Sequence, residues 1–253
     1  MTEKSNTVIK ARNLVKEYST GSYKQTVLNN IDLDIFEGDF TVIMGRSGSG
    51  KSTLLYCLSY LDMMTTGSVV LCGKEYKKSS KALSKLRNSE ISFVFQNSNL
   101  LPDLTAFENV SYPAYLIDKK KNVNERTTEI LQKLHLNEIA DHHPNEMSGG
   151  EMQRVAIARA LMKKPKVLFA DEPTGALNSL LGEQALDLFT QINAEGQTIV
   201  MVTHDVKASL RANRILYLAD GKITDELNLS PYNKDQKDER EKTVLEFLHK
   251  QNW

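Results

Sequence analysis

The sequence predicts an α/β fold with three parts: a mostly parallel sheet carrying helices, an N-terminal antiparallel β subdomain, and an inserted α-helical subdomain. Three observations carry that expectation. Short, wholly apolar, β-branched runs alternate with stretches of helical period, which is the pattern of βα units around a buried sheet. The first 40 residues read instead as paired strands with a polar connection, and between about 98 and 164 strand signals vanish.

Taken in order, Val8–Leu14 and Val27–Ile35 read as the N-terminal strands, joined by a loop over Ser19–Gln25. Phe40–Met44, Ile91–Phe95, Val167–Ala170 and Thr198–Val202 supply the core strands, because a strand covered on both faces needs apolar residues at nearly every position. Arg126–Leu136 and Glu151–Lys163 carry helical spacing within the insertion, about residues 98–164. The connection Leu116–Arg126, with Lys119, Lys120 and Lys121, reads as a solvated charged surface. Residues 1–229 are expected to form one domain. Residues 230–253 form an extension whose Val244, Leu245, Phe247 and Leu248 recur at helical spacing, which predicts a helix docked on the body.

The chain has 253 residues, of which 40% are hydrophobic, and 32 Lys+Arg balance 32 Asp+Glu. That composition excludes a disordered chain, and the length excludes two full catalytic domains. Zero net charge argues against nucleic-acid binding through phosphate neutralisation. Met1–Lys10 is polar and no uncharged apolar stretch reaches 18 residues, so no direct membrane insertion is expected and membrane contact should run through a partner. Cys57 and Cys72 lie in apolar runs and read as buried thiols of a reducing compartment.

The strongest local signal is Gly45-Arg46-Ser47-Gly48-Ser49-Gly50-Lys51-Ser52, which matches G-x-x-x-x-G-K-[ST]. It follows an apolar strand and opens a helix whose Leu54, Leu55, Leu58 and Leu61 are expected on one face. Glycines let successive backbone N–H groups converge, and the helix start adds its positive dipole end, so the loop suits a polyphosphate. Lys51 is placed to neutralise phosphate charge, Ser52 to offer its hydroxyl to Mg2+, and Thr53 continues the binding turn. The core is therefore that of a P-loop NTPase. The loop alone does not separate kinases, GTPases and transport ATPases.

Further residues narrow the field. Val167–Ala170 ends in Asp171 and Glu172, two carboxylates at the carboxyl end of a buried strand, where α/β sheets bind ligands. Asp171 suits Mg2+ through its water shell, and Glu172 suits proton abstraction from an attacking water. Thr198–Thr203 delivers His204 to the same edge, where an imidazole can contact the γ-phosphate. His135, His142, His143 and His249 have no such context. Met147 precedes Ser148-Gly149-Gly150-Glu151, a second capped, glycine-exposed helix start suited to an anion. The first cradle already surrounds the phosphates on one side, so the second is useful only to a nucleotide held by another chain. That geometry implies a homodimer with a two-fold axis, the alternative being an ordinary capped helix with a flexible entry.

Together these motifs make the chain resemble the ATP-binding cassette (ABC) ATPases of membrane transporters over nearly all of residues 8–229. The resemblance implies ATP and Mg2+ as ligands, Gln96 as a residue sensing Mg2+ and the membrane partner, Tyr18 as the ring that stacks on adenine, and His204 as the switch histidine. It further implies an integral membrane permease as partner, and a place on the cytoplasmic face of the cell membrane, peripheral through that permease. Leu100–Leu116, next to Gln96, is the candidate permease-facing segment, with packing inside the insertion as the alternative for each residue. Tyr18–Gln25, Asn99–Val110 and Ala170–Leu177 are most similar to cassettes of the lipoprotein-release, macrolide-efflux and peptide-antibiotic resistance type. Two positions depart from the family: Glu151 stands where Gln is commoner, and Asn178 where Asp is usual. The alternative reading is a cassette of a non-transporting membrane signalling or cell-division complex. A soluble cassette acting on DNA or ribosomes usually has two cassettes or a coiled coil, and this chain supplies neither.

Overall fold

The computed structural model of the chain describes residues 6–21, 23–77, 80–117 and 122–253. Lys119, Lys120 and Lys121, expected on a solvated connection, lie outside the described residues, as does most of the segment before Thr7.

The chain opens on two antiparallel strands, β1 (Thr7–Thr20) and β2 (Tyr23–Phe36). Core strand β3 (Phe40–Met44), helix α1 (Lys51–Leu58), strands β4 (Thr66–Leu71) and β5 (Lys74–Glu75) and helix α2 (Ser80–Ser89) follow. Core strand β6 (Ile91–Phe95) leads into an all-helical stretch of α3 (Ala106–Ile117), α4 (Val123–Lys133) and α5 (Gly149–Leu161). Next come β7 (Val167–Asp171), α6 (Ser179–Ala194), β8 (Thr198–Val202) and the short α7 (Val206–Ser209). The hairpin β9 (Arg214–Ala219) and β10 (Lys222–Asn228) precedes the last helix, α8 (Lys237–Lys250).

Two sheets result. The smaller is antiparallel in the order β2-β1-β4-β5; the larger runs β10-β9-β3-β8-β7-β6 and is parallel except at its β10 edge. Every residue of β3, β7 and β8 is buried, as their apolar runs require. Successive side chains leave opposite faces. Val42 and Met44 therefore join the core shared with the helical insertion, α6 and α8, while Ile43 joins the core shared with the small sheet and α1.

The register positions the chemistry. Phe95 pairs with Asp171, Asp171 with Val202, and Val202 with Ile43, so the next residues, Gln96, Glu172, Thr203 and Met44, emerge in one row at the carboxyl edge.

Several expectations need correction. The connection over Ser19–Gln25 is a hairpin rather than a loop: β1 runs to Thr20, which pairs with Tyr23, while Tyr18 pairs with Gln25 and Glu17 with Thr26. Threonine and tyrosine suit such a ladder, and these cross-strand pairs extend it past the core. Leu61 is not on the α1 face, because the helix stops at Leu58, Tyr60 takes a left-handed φ of 56°, and Leu61 is left 37% exposed. Cys57 is buried, but Cys72 is only half-buried, in the turn between β4 and β5. In α8, Val244, Phe247 and Leu248 are buried against the body whereas Leu245 is 37% exposed. β4, β5, α2, β9 and β10 were not read from the sequence. No helix among the described residues is long and apolar enough to cross a membrane.

Candidate active site

Residues 45–50 connect the buried end of β3 to α1. Glycine is required at both ends of this loop. A Cβ on Gly45 would lie 2.1 Å from the Leu218 carbonyl oxygen, and Gly50 combines a φ of 101° with 3.0 Å of clearance to Leu28 Cδ2. Because Gly50 is the N-cap, no side chain caps α1, and the dipole end of the helix faces the loop without a competing acceptor. The Lys51 Nζ donates across the loop to the carbonyl oxygens of Gly45 at 2.8 Å and Arg46 at 3.1 Å. Burial lowers its pKa, against an opposing pull from Glu172 and Asp171. The Ser49 hydroxyl is buried with no hydrogen-bond partner. An orphan donor, an uncapped helix start and an ammonium bridging two carbonyls together fit a polyphosphate. Ser47 and Gly48 complete the loop, and Ser52 and Thr53 occupy the first turn of α1. The Arg46 guanidinium is turned elsewhere and donates to the Asn252 carbonyl in the C-terminal tail.

Asp171 is 9% exposed at the end of β7. Its Oδ1 accepts from the Ser52 hydroxyl at 2.9 Å and its Oδ2 from the Tyr56 hydroxyl at 2.6 Å. Ser52 and Tyr56 are one turn apart on α1, so one helix face presents both hydroxyls. Burial, and then Asp171, push the Tyr56 phenol up to about 12. Glu172 holds a left-handed φ of 46°, which is costly for a residue with a side chain and is stabilised by its N–H donating to the Val202 carbonyl at 2.9 Å. The Glu172 Oε2 accepts from the Thr203 hydroxyl at 3.0 Å, and Oε1 lies 3.0 Å from His204 Nδ1. A proton on Nδ1 satisfies that contact and leaves Nε2 of a neutral His204 as an acceptor, on a side chain that is 69% exposed.

Gln96 enters the same row beyond β6, close enough to the next loop that a Cβ on Gly175 would lie 2.9 Å from its Nε2. Among the described residues no group of three His, Cys, Asp or Glu could form an all-protein metal cage. Ser52, Asp171 and Gln96 instead offer a hydroxyl, a carboxylate and an amide. This sparse oxygen set fits Mg2+, which keeps waters and takes its remaining ligands from phosphates.

The second helix start is built differently. Ser148 caps α5: its Oγ accepts from the Glu151 N–H at 3.3 Å, and both its own N–H and its hydroxyl donate to Glu151 Oε2 at 2.7 Å. These bonds to Ser148 lower the Glu151 pKa. Ser148 and Gly149 are exposed, while Gly150 is buried, with Leu181 Cδ2 2.7 Å from the place of a Cβ. Asn178 caps α6 by accepting from the Leu181 N–H at 3.0 Å. The α5 helix is tied to the segment on both sides of Gln96. Gln153 donates to the Phe95 carbonyl at 3.2 Å, and Arg159 donates to the Ser98 and Asn99 carbonyls at 2.7 Å each. Among the described residues no hydrogen bond joins 148–151 to 45–53. Tyr18, on the outer arm, is 43% exposed, donates to Asp62 Oδ2 at 2.8 Å, and has Lys16 Nζ 4.7 Å from its ring centroid.

The carboxyl edge thus gathers the loop, Asp171, Glu172, His204 and Gln96, whereas Ser148–Glu151 and Tyr18 lie on separate elements. Sequence reading missed Tyr56 and Thr203. The available signals were the one-turn spacing of Tyr56 from Ser52 and the place of Thr203 in the row of Glu172.

This arrangement defines a nucleotide-hydrolysing cassette, and known proteins agree. A family profile described as "ABC transporter" matches residues 28–175, and the chain belongs to that family as an ATP-binding cassette with ATPase chemistry. It is 44% identical over 226 residues to the macrolide export ATP-binding/permease protein MacB of Mannheimia succiniciproducens, a match covering 88% of this chain and 35% of that protein. The chain therefore spans about a third of that relative's length. It is 45% identical over 218 residues to the uncharacterized ABC transporter ATP-binding protein YknY of Bacillus subtilis, covering 85% of this chain and 95% of that one. Among solved structures, the dimeric bacterial cassette MJ0796 matches at a TM-score of 0.81 and 42% identity, covering 88% of this chain and all of that one. A post-hydrolysis MJ0796 dimer bound to ADP and Pi matches at 0.81 and 40%, with the same coverage.

Proposed function

We propose that this chain is the ATP-hydrolysing subunit of a membrane transporter, which pairs with a second copy around two Mg-ATP and drives a separate permease. The observation that carries the reading is the division of phosphate-binding parts between two unconnected helix starts. One polyphosphate can meet both only if a second chain brings its own Ser148 and Gly149 to the loop of the first. In that arrangement the 45–53 loop cradles the phosphates and Lys51 neutralises their charge. Ser52, Asp171 and Gln96 would hold Mg2+, which would supply charge neutralisation to the phosphates. Glu172, fixed by Thr203 and His204, takes the proton of the attacking water, while the exposed His204 keeps Nε2 free for the γ-phosphate. Tyr18, braced by Asp62, offers its exposed ring to adenine.

Leu101, Tyr112, Tyr115 and Leu116 remain exposed on the segment chosen for the permease contact, with Leu116 63% exposed. This surface supports a place on the cytoplasmic face of the membrane, held through the permease. The likeness to a macrolide exporter supports an amphipathic cargo such as a peptide antibiotic, a macrolide or a lipoprotein. Energy reaches the permease by differential binding: ATP favours the closed dimer and the products do not. Phosphate release by the purified chain tests the core of this reading. Glu172→Gln should reduce turnover by about 10²-fold or more. Native turnover in that variant would remove Glu172 from its assigned role.

A further inference from the structure

We propose that Tyr56 determines the metal preference of the site, by occupying one oxygen of Asp171 and leaving the other to the metal shell. The inference rests on the Mg-ATP reading and goes beyond it. Asp171 receives two hydroxyls from one face of α1, Ser52 on Oδ1 at 2.9 Å and Tyr56 on Oδ2 at 2.6 Å. Their roles are not equivalent. The Ser52 oxygen can turn a lone pair toward a cation, while the Tyr56 phenol is carried on a rigid, half-buried ring and serves only to hold Oδ2. A charge-assisted O–H···O⁻ bond of that length is strong, and breaking it in a pocket where Asp171 is 9% exposed would leave an anionic oxygen poorly solvated.

The chemical consequence follows from how hard cations use carboxylates. Ca2+ takes six to eight oxygens and readily accepts both oxygens of one carboxylate, whereas Mg2+ is octahedral and takes one. A cation that took both oxygens would have to bend the strong Tyr56 bond aside, whereas Ser52 can turn with its oxygen toward the metal shell, so Asp171 offers one oxygen, directly or through a water. The neighbouring Glu172 is engaged at both oxygens by Thr203 and His204, which orient it for the attacking water rather than the metal. The site is thereby shaped for the smaller ion.

The test compares wild type with Tyr56→Phe, which keeps the ring and deletes the hydroxyl. Binding of a fluorescent, non-hydrolysable ATP analogue is titrated with Mg2+, with Ca2+ and in EDTA. The proposal expects the preference for Mg2+ over Ca2+ to narrow by about fivefold or more in Tyr56→Phe, chiefly through better support by Ca2+. An unchanged Mg2+/Ca2+ ratio, or an equal loss with both ions, overturns the proposal. If wild type bound the analogue as well in EDTA as with Mg2+, the Mg-ATP reading itself would fall, a result distinct from an unchanged ratio.

Discussion

The α1 and α5 helices both begin at glycine-rich, solvent-facing turns, yet they treat their first N–H groups in opposite ways. The α1 start has a left-handed glycine at its N-cap and no side-chain cap. The α5 start is closed on itself, with Ser148 and Glu151 satisfying each other. A helix start that leaves its donors free can hold a ligand alone. One that is self-capped gives its serine hydroxyl to a ligand only when something outcompetes Glu151. In the dimer proposed above, the second start would give up that self-capping to an anion carried by the partner.

The largest expected effect lies at the open start. Lys51→Ala removes the one ammonium spanning the loop, and charge-assisted bonds of about 1.5–3 kcal/mol predict at least a tenfold loss of ATP affinity by equilibrium binding. Unchanged affinity would dissolve the contrast between the two starts. Ser148→Ala is the counterpart at the closed start: ATP binding to the isolated chain should persist while ATP-driven association is lost. Loss of the cap should also cost about 1 kcal/mol, or roughly 2–4 °C in Tm by calorimetry.

Glu151→Gln sharpens the comparison further. It keeps the shape of the cap and removes a negative charge from the surface that would meet a partner's phosphates. ATP-driven dimerisation should then need roughly two- to fivefold less ATP, in line with about 0.3–1 kcal/mol at a helix start, and should depend less on salt. The isolated chain should move the other way. The Glu151 pKa is depressed by folding, so the ionised carboxylate stabilises the native state above the ordinary carboxylate range and stops doing so as pH falls through its lowered value. Melting curves of wild type and Glu151→Gln should thus differ at neutral pH and converge in acid. The smallest effect is expected from deleting residues 251–253, which frees Arg46 from the Asn252 carbonyl and Asp225 from the Gln251 amide. A shift of no more than about 2 °C in Tm, with ATP affinity nearly preserved, should follow.

The legible parts of the molecule were those where one local pattern has one solution. An apolar run into Gly45 and out through Lys51 dictates strand, loop and helix, and the apolar runs before Asp171 and His204 dictate buried strands ending in polar groups. The edge strand β10 escaped because it is largely exposed and lacks an apolar signature, and the inner strand β4 because it begins on exposed Thr66 and Gly67. The outer arm looked like a loop because its ladder is held by pairs such as Tyr18 with Gln25, which no core requires. Tyr56 was hidden in an apolar helix, where its ring reads as packing; only the placement of α1 beside the end of β7 brings its hydroxyl to Asp171. The Ser148–Glu151 cap was legible as a cap, but not the share of the serine hydroxyl that Glu151 takes.

The most direct test of the divided site is the mass of the Glu172→Gln chain in solution with Mg-ATP and with Mg-ADP, by light scattering after size exclusion. The account predicts a dimer with ATP that reverts to monomer with ADP, and no dimer when Ser148→Ala is added. A Glu172→Gln chain that binds ATP at saturation and stays monomeric would contradict it.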